Sequence, residues 1–398
     1  MLKGIDELRA IAILLVFLYH ADKTHFGFGW VGVQMFFVLS GFLITRILVK
    51  ARHEQPAGAF FKDFYGRRAL RIFPLYFLYL GAVGLIAAIA IDAFGYTADG
   101  HFALFRAQLP YALTYTYNVF HASAAFQGTG LLTHLWSLAA EEQFYFVWPF
   151  VIFFVPAARY RQVFLGILVA GPLLRLAIWL YLGAANPAWA LSAHETALYV
   201  LPTTHVDAFA LGGLFSIAPP TRALTKAAIG GALLLAVTVG LELAAGATNL
   251  LGSLGLSIGM PGPGLRFVWG YTALNCIFGW LLVGTIDWAT RTGAGSPALA
   301  YLGRISYGLY VYHYAILTGL KTLVPKVAPG VPYALIVLAA MGLTVAVSAV
   351  SFKLFEHPIN NLKHSLFPRR PAPAELPSAA DAPAPDRMAP CSLAAGSS

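Results

Sequence analysis

Charge is scarce in this sequence. Asp, Glu, Lys and Arg make up 11% of its 398 residues, against about 25% in an ordinary soluble domain. With 59% hydrophobic residues and a mean hydropathy of +0.70, that shortage excludes a chain solvated by water on every side. Cysteine is scarcer still, with Cys276 in an apolar run and Cys391 near the C-terminus. Two cysteines are too few for a disulfide framework, and no ligand spacing points to a structural metal. A cleavable leader is not expected either. Residues 10–19 have the apolar character of a signal-peptide core, but Asp6, Glu7 and Arg9 precede them. His20-Ala21-Asp22 then stands where small residues would be needed for cleavage. The segment is therefore expected to remain as the first helix. No repeat at a solenoid period occurs.

What the chain has in quantity is apolar runs of roughly 20 residues, the length that crosses a bilayer. Ten spans are expected, at 8–22, 31–49, 73–92, 137–156, 163–184, 197–217, 226–246, 265–287, 304–320 and 332–352. The fold class expected is all-α: a polytopic integral membrane protein with about ten transmembrane helices and both termini cytoplasmic. The orientation follows from the basic residues, which concentrate in cytoplasmic loops. With the N-terminus inside, 20 of the 26 Lys and Arg fall inside or at cytoplasmic helix ends. Lys23, Arg106, Arg266, Lys321 and Lys326 fall outside, and Arg175 lies within a span. The net charge of +9 is explained by this bias, so no nucleic-acid partner is expected. Residues 1–363 form the membrane-embedded domain in this reading. Residues 364–398, rich in Pro, Ala and Ser, read as a disordered cytoplasmic tail. The stretch 93–136 is long for a loop, and its segment 102–120 is expected to lie along the interface.

Several blocks combine polar groups with these apolar surroundings, where ionisable side chains are costly and tend to face a polar cavity. The first helix carries Arg9 and His20. Eleven residues at 100° each return to nearly the same face, about 16 Å further along the axis. The first span is short and polar at both ends, so other helices are expected to surround it. The next span contains Ser40-Gly41, small enough for close helix approach. Arg67, Arg68 and Arg71 stand before the third span. If helical they share a face, and guanidinium forks suit phosphate oxygens, although cytoplasmic anchoring is the commoner explanation of a generic basic loop. The block 134–145 brings Trp136, Glu141, Glu142 and Tyr145, with Glu141 and Tyr145 four apart on one face. Asp207, inside the sixth span, needs a partner. Ser306, Tyr310 and His313 belong to an aromatic stripe that more often signals packing or an interface belt.

Singly these blocks are weak, but their order and wording are specific. The chain resembles the acyltransferase-3 family of integral membrane O-acyltransferases, which includes O-antigen, exopolysaccharide and macrolide O-acyltransferases. The resemblance rests on residues 6–20, 31–45, 67–74, 134–149, 206–212, 303–313 and 351–358, above all on FFVLSGFLIT and LWSL-x-x-EEQFY. In that family an arginine and a histidine, separated by ten residues on the first helix, are essential to activity. They fall here on Arg9 and His20. Its RxxR pair, associated with the acyl-CoA donor, falls on Arg68 and Arg71, and its WSL-x-x-E glutamate on Glu141. Glu7 stands where glycine is usual, and Gln34 where aspartate often is.

The resemblance implies transfer of an acyl group, acetyl first, from acyl-CoA as co-substrate to a hydroxyl of a glycan or glycolipid. The setting it implies is the bacterial cytoplasmic (inner) membrane, with no tightly bound cofactor. His20 is expected to act as general base, with Glu141 orienting its imidazole or stabilising the protonated form, and a covalent acyl-histidine intermediate is the alternative route. Ser40, Trp136, Glu142, Tyr145, Asp207, Ser306, Tyr310 and His313 are candidates for binding the acceptor or holding the site. The rival reading is an exporter or transporter of a glycan or small hydrophobic metabolite. Such proteins often carry internal repeats and broken helices at the midplane.

Overall fold

The computed structural model describes residues 4–93, 100–189, 191–218 and 266–368, with short stretches between 222 and 237. All regular structure among the described residues is helical. The expected span 226–246 lies largely outside them, as does the tail from residue 369 onward.

The helices in chain order are α1 Ile5–Ala21, α2 Val31–Glu54, α3 Ala57–Ala88, α4 His101–Leu113, α5 Tyr117–His121, α6 Trp136–Phe154, α7 Tyr160–Ala185, α8 Leu191–Val200, α9 Val206–Ile217, α10 Arg266–Thr292, α11 Pro297–Arg304, α12 Ser306–Val327 and α13 Tyr333–Ser351. A π-helical turn, Phe352–Glu356, and the short helices His357–Asn361 and Lys363–Leu366 close the described chain.

Among the described residues, five helical stretches are long and apolar enough to cross a bilayer: Gly27–Glu54, Ala57–Ile91, Ala157–Ala185, Phe267–Thr292 and Tyr333–Leu366. Their outward positions expose large apolar side chains such as Leu85, Leu180 and Leu338, which suits contact with lipid tails. The other expected spans that fall on described residues are shorter, broken, or carry the polar groups discussed below. α1 has 17 residues and is sheathed by other helices, as its polar ends suggest. Leu8, Ala12, Ile13, Val16 and Phe17 are all buried, against α2, α11 and α12.

Three expectations are corrected. The span 197–217 is not continuous. Pro202, which has no N–H to offer a helix ladder, opens a 3-10 turn between α8 and α9. The third helix begins at Ala57 rather than near 73, so Arg67, Arg68 and Arg71 lie within it. The span 304–320 begins only at Ser306, after a break at Ile305 that ends α11. The stretch before α6 contains two helices of its own, α4 and α5.

Close packing of α2 on α9 sets the frame. A Cβ at Gly41 would strike the backbone of Phe209, and one at Gly212 would strike the backbone at Val38 and Phe42. Reciprocal glycines thus let two helix backbones touch, the small-residue contact common between membrane helices. Asp207 finds its partner nearby. Arg175 of α7 grips it with Nη1 at 3.1 Å and Nη2 at 2.9 Å. Arg175 also donates to the carbonyls of Thr204 and Val268 and to the Thr272 hydroxyl. Both side chains of the pair are fully buried. This network ties α7, α9 and α10 together and assigns Asp207 to structure.

Candidate active site

A cavity of about 260 Å3 opens between α1, α2, α3, α6 and α12. α1 contributes Asp6 and Arg9, and α3 contributes Arg68 and Arg71. Ser40 comes from α2, Glu141, Glu142 and Tyr145 from α6, and Ser306 and Tyr310 from α12. Five sequence blocks, spread from Ile5 to Tyr310, therefore meet at one polar hollow.

Their arrangement is ordered by charge. Arg9, Arg68 and Arg71 act on one another electrostatically, and Arg9 also feels Asp6 and Glu141. The Arg68 guanidinium lies 5.0 Å from the centre of the Tyr145 ring. Glu141 is fixed by two hydroxyls, for Ser40 and Tyr145 both donate to its Oε1, while the two hydroxyl oxygens lie 3.1 Å apart. Glu142 lies beside Glu141 and within reach of Arg68. Three guanidinium groups held together in an apolar bundle repel one another. Asp6, Glu141 and Glu142 relieve that repulsion in part, and a ligand bearing several anionic oxygens would relieve it further. Arg67 does not join them; it turns to the carbonyl of Phe367.

His20 occupies a second locus, at the other end of α1, and is not among the residues lining the cavity. Its Nδ1 lies 3.0 Å from His313 Nε2. His313 Nδ1 in turn lies 2.7 Å from the carbonyl oxygen of Tyr310. The ring of Tyr314 stands 4.5 Å from the His20 ring, and the His134 ring 5.2 Å from that of His313. Tyr310 connects the two loci. Its side chain faces the cavity, its hydroxyl pairs with Ser137 and donates to the His134 carbonyl at 2.9 Å, and its own carbonyl holds His313.

This geometry corrects one expected role. Glu141 does not orient His20, because it is engaged with Ser40 and Tyr145 beside Arg9. The structure brings Arg9, Ser40, Arg68, Arg71, Glu141, Glu142, Tyr145, Ser306 and Tyr310 together, and joins His20 to His313. It sets Trp136 apart, packed against Phe37, Tyr199 and His205, and Asp207 with it in the neighbouring core. Sequence reasoning passed over His134, Ser137, Tyr307 and Asp6. His134 and Ser137 stood within a quoted block. The signal that could have found Tyr307 is its place one residue after Ser306, at the start of α12.

Comparison with known proteins places this arrangement. The peptidoglycan O-acetyltransferase OatA of Listeria monocytogenes is 28% identical over 379 residues, covering 89% of this chain and 55% of that protein. The provisionally named peptidoglycan O-acetyltransferase YrhL of Bacillus subtilis is 36% identical over 149 residues, 37% of this chain and 23% of its own. A provisionally named O-acetyltransferase of Staphylococcus aureus is 23% identical over 331 residues, 79% of this chain and 50% of its own. The chain thus spans about half the length of the longer-matching relatives. No solved structure matches it significantly. The model of the acyltransferase domain (Acyl_transf_3) matches residues 2–353, which include both loci and every helix that builds them, and the chain belongs to the acyltransferase-3 family.

Proposed function

We propose that this protein is a membrane O-acyltransferase that transfers an acetyl group from acetyl-CoA to a hydroxyl of a cell-envelope glycan, with peptidoglycan the first candidate. One observation carries the reading: α1 offers Arg9 to a cavity shared with Arg68 and Arg71, and His20 on nearly the same face further along. Donor phosphates would lie at the arginines, whose forked donors match phosphate oxygens. The extended pantetheine arm would reach toward His20, about 16 Å away along the helix. The acceptor hydroxyl gives its proton to His20 as its oxygen attacks the thioester carbonyl carbon. The C–S bond then breaks, and the departing thiolate takes the proton back from the imidazolium to leave free CoA. Glu141, held by Ser40 and Tyr145, would keep Arg9 in place while the donor enters and leaves.

The setting that fits is the bacterial cytoplasmic membrane, with about ten spans and both termini inside. The arginine cavity would then open toward the cytoplasm, where acetyl-CoA is made, and His20 would stand nearer the outer face, where envelope glycans are assembled. The names of the relatives support O-acetylation and a glycan acceptor.

The test is release of free CoA by protein purified in detergent, given acetyl-CoA and a panel of glycan acceptors. Acceptor-stimulated release that falls by about 10²–10⁴-fold in His20→Ala is expected, the range of general-base catalysis. Undiminished release by His20→Ala would contradict the proposed base. Labelled glycan crossing sealed vesicles with no CoA release would replace the enzyme by an exporter.

A further inference from the structure

A general base needs more than an imidazole; it needs the lone pair on the nitrogen that faces the substrate. A neutral histidine carries one N–H and one lone pair, and its partners decide which nitrogen holds which. A carbonyl oxygen only accepts. The Tyr310 carbonyl, 2.7 Å from His313 Nδ1, therefore keeps the proton of a neutral His313 on Nδ1, and the Leu309 carbonyl also bonds the same imidazole. His313 Nε2 is left with a lone pair, and it lies 3.0 Å from His20 Nδ1. That contact is a hydrogen bond only if His20 Nδ1 donates. In a neutral His20 the lone pair is then on Nε2.

We infer that His313 is a positioning residue: through the Tyr310 carbonyl it fixes His20 in the Nδ1–H tautomer and leaves Nε2 free as the base. The inference rests on the reading of His20 given above. His134 does not compete, because it spends its own N–H on the Val311 carbonyl at 3.0 Å, and its Nδ1 is a buried acceptor without a partner. Serine hydrolases fix their histidine with a carboxylate. Here the same work falls to a second imidazole backed by a main-chain carbonyl, an uncharged device suited to a membrane interior, where a carboxylate is expensive. The Val16 carbonyl, one turn back on α1, also bonds the His20 imidazole. Under this inference that carbonyl shares the Nδ1 proton, and the resonances below decide it: a proton found on Nε2 overturns the inference.

The experiment uses full-length protein with isotope-labelled histidine in lipid nanodiscs, and the His20 resonances are identified by their loss in His20→Ala. Wild-type His20 is expected to show a protonated Nδ1 and an unprotonated Nε2. His313→Phe, which keeps a ring but offers no acceptor, is expected to lose that bias. His313→Gln, whose Oε1 can accept from His20, is expected to restore it. In turnover, His313→Phe should lower kcat by about 10²-fold or more with the apparent donor KM unchanged, and His313→Gln should recover most of it. A protonated Nε2 on wild-type His20 would overturn the inference, as would equal kcat in the two variants. If wild-type protein shows no His20-dependent transfer, the acyltransferase reading falls, and the resonances still decide the tautomer.

Discussion

Arg175 and Asp207 carry opposite charges into the core among α7, α9 and α10, and the structure explains how they are tolerated. The guanidinium meets two carboxylate oxygens, two carbonyls and a hydroxyl, so little hydrogen-bonding capacity goes unmet. Removing one partner of such a pair strands the other and costs about 3–5 kcal/mol. Asp207→Asn is therefore expected to lower the thermal unfolding temperature and the membrane abundance together. A variant as stable as wild type would show that the pair contributes little. Asp207 was legible as needing a partner; that the partner was Arg175 was not, because 32 residues separate them and only the fold brings them together. The same limit applied to Glu141. Its place at an apolar helix entrance marked it as special, but sequence spacing could not say whether its partner was His20 or Ser40. Arg9 and His20 fared better, since eleven residues on one helix fix their relative placement without any tertiary information.

Helices follow most of the apolar runs, and their boundaries depart from expectation where proline or polar content intervenes. Pro202 splits one expected span, and α3 continues for several turns before its apolar run because Phe60 and Phe64 find burial against the rest of the bundle. Contacts between helices were harder to read. Gly41 was recognisable as a small residue, but its counterpart Gly212 acquires meaning only when α2 and α9 are seen backbone to backbone. Gly41→Ala or Gly212→Ala should force those helices apart, at a cost of about 1–3 kcal/mol for overpacking. The shift would also draw Ser40 away from Glu141, so activity and stability should fall together. Gly58→Ala, at a position of α3 with open space around it, is the matched control and should change neither. Comparable loss in all three, measured by thermal unfolding in detergent, would contradict the packing account.

In the whole molecule, α1 is a buried axle that joins two chemically different loci. At one end lie three arginines with their carboxylate neighbours; at the other, a histidine held by a second histidine. The proposed function places donor recognition at one end and proton transfer at the other, and kinetics can separate them. Turnover should be measured against acetyl-CoA concentration for wild type, the double variant Arg68→Ala with Arg71→Ala, and His20→Ala. The arginine variant is expected to raise the apparent donor KM by about tenfold or more, since a hydrogen bond to a charged group is worth roughly 1.5–3 kcal/mol, while kcat at saturation stays near wild type. His20→Ala is expected to lose kcat with the donor KM little changed. If both variants lose the same parameter, or if the arginine variant keeps its donor dependence, the two-ended division of labour along α1 is contradicted.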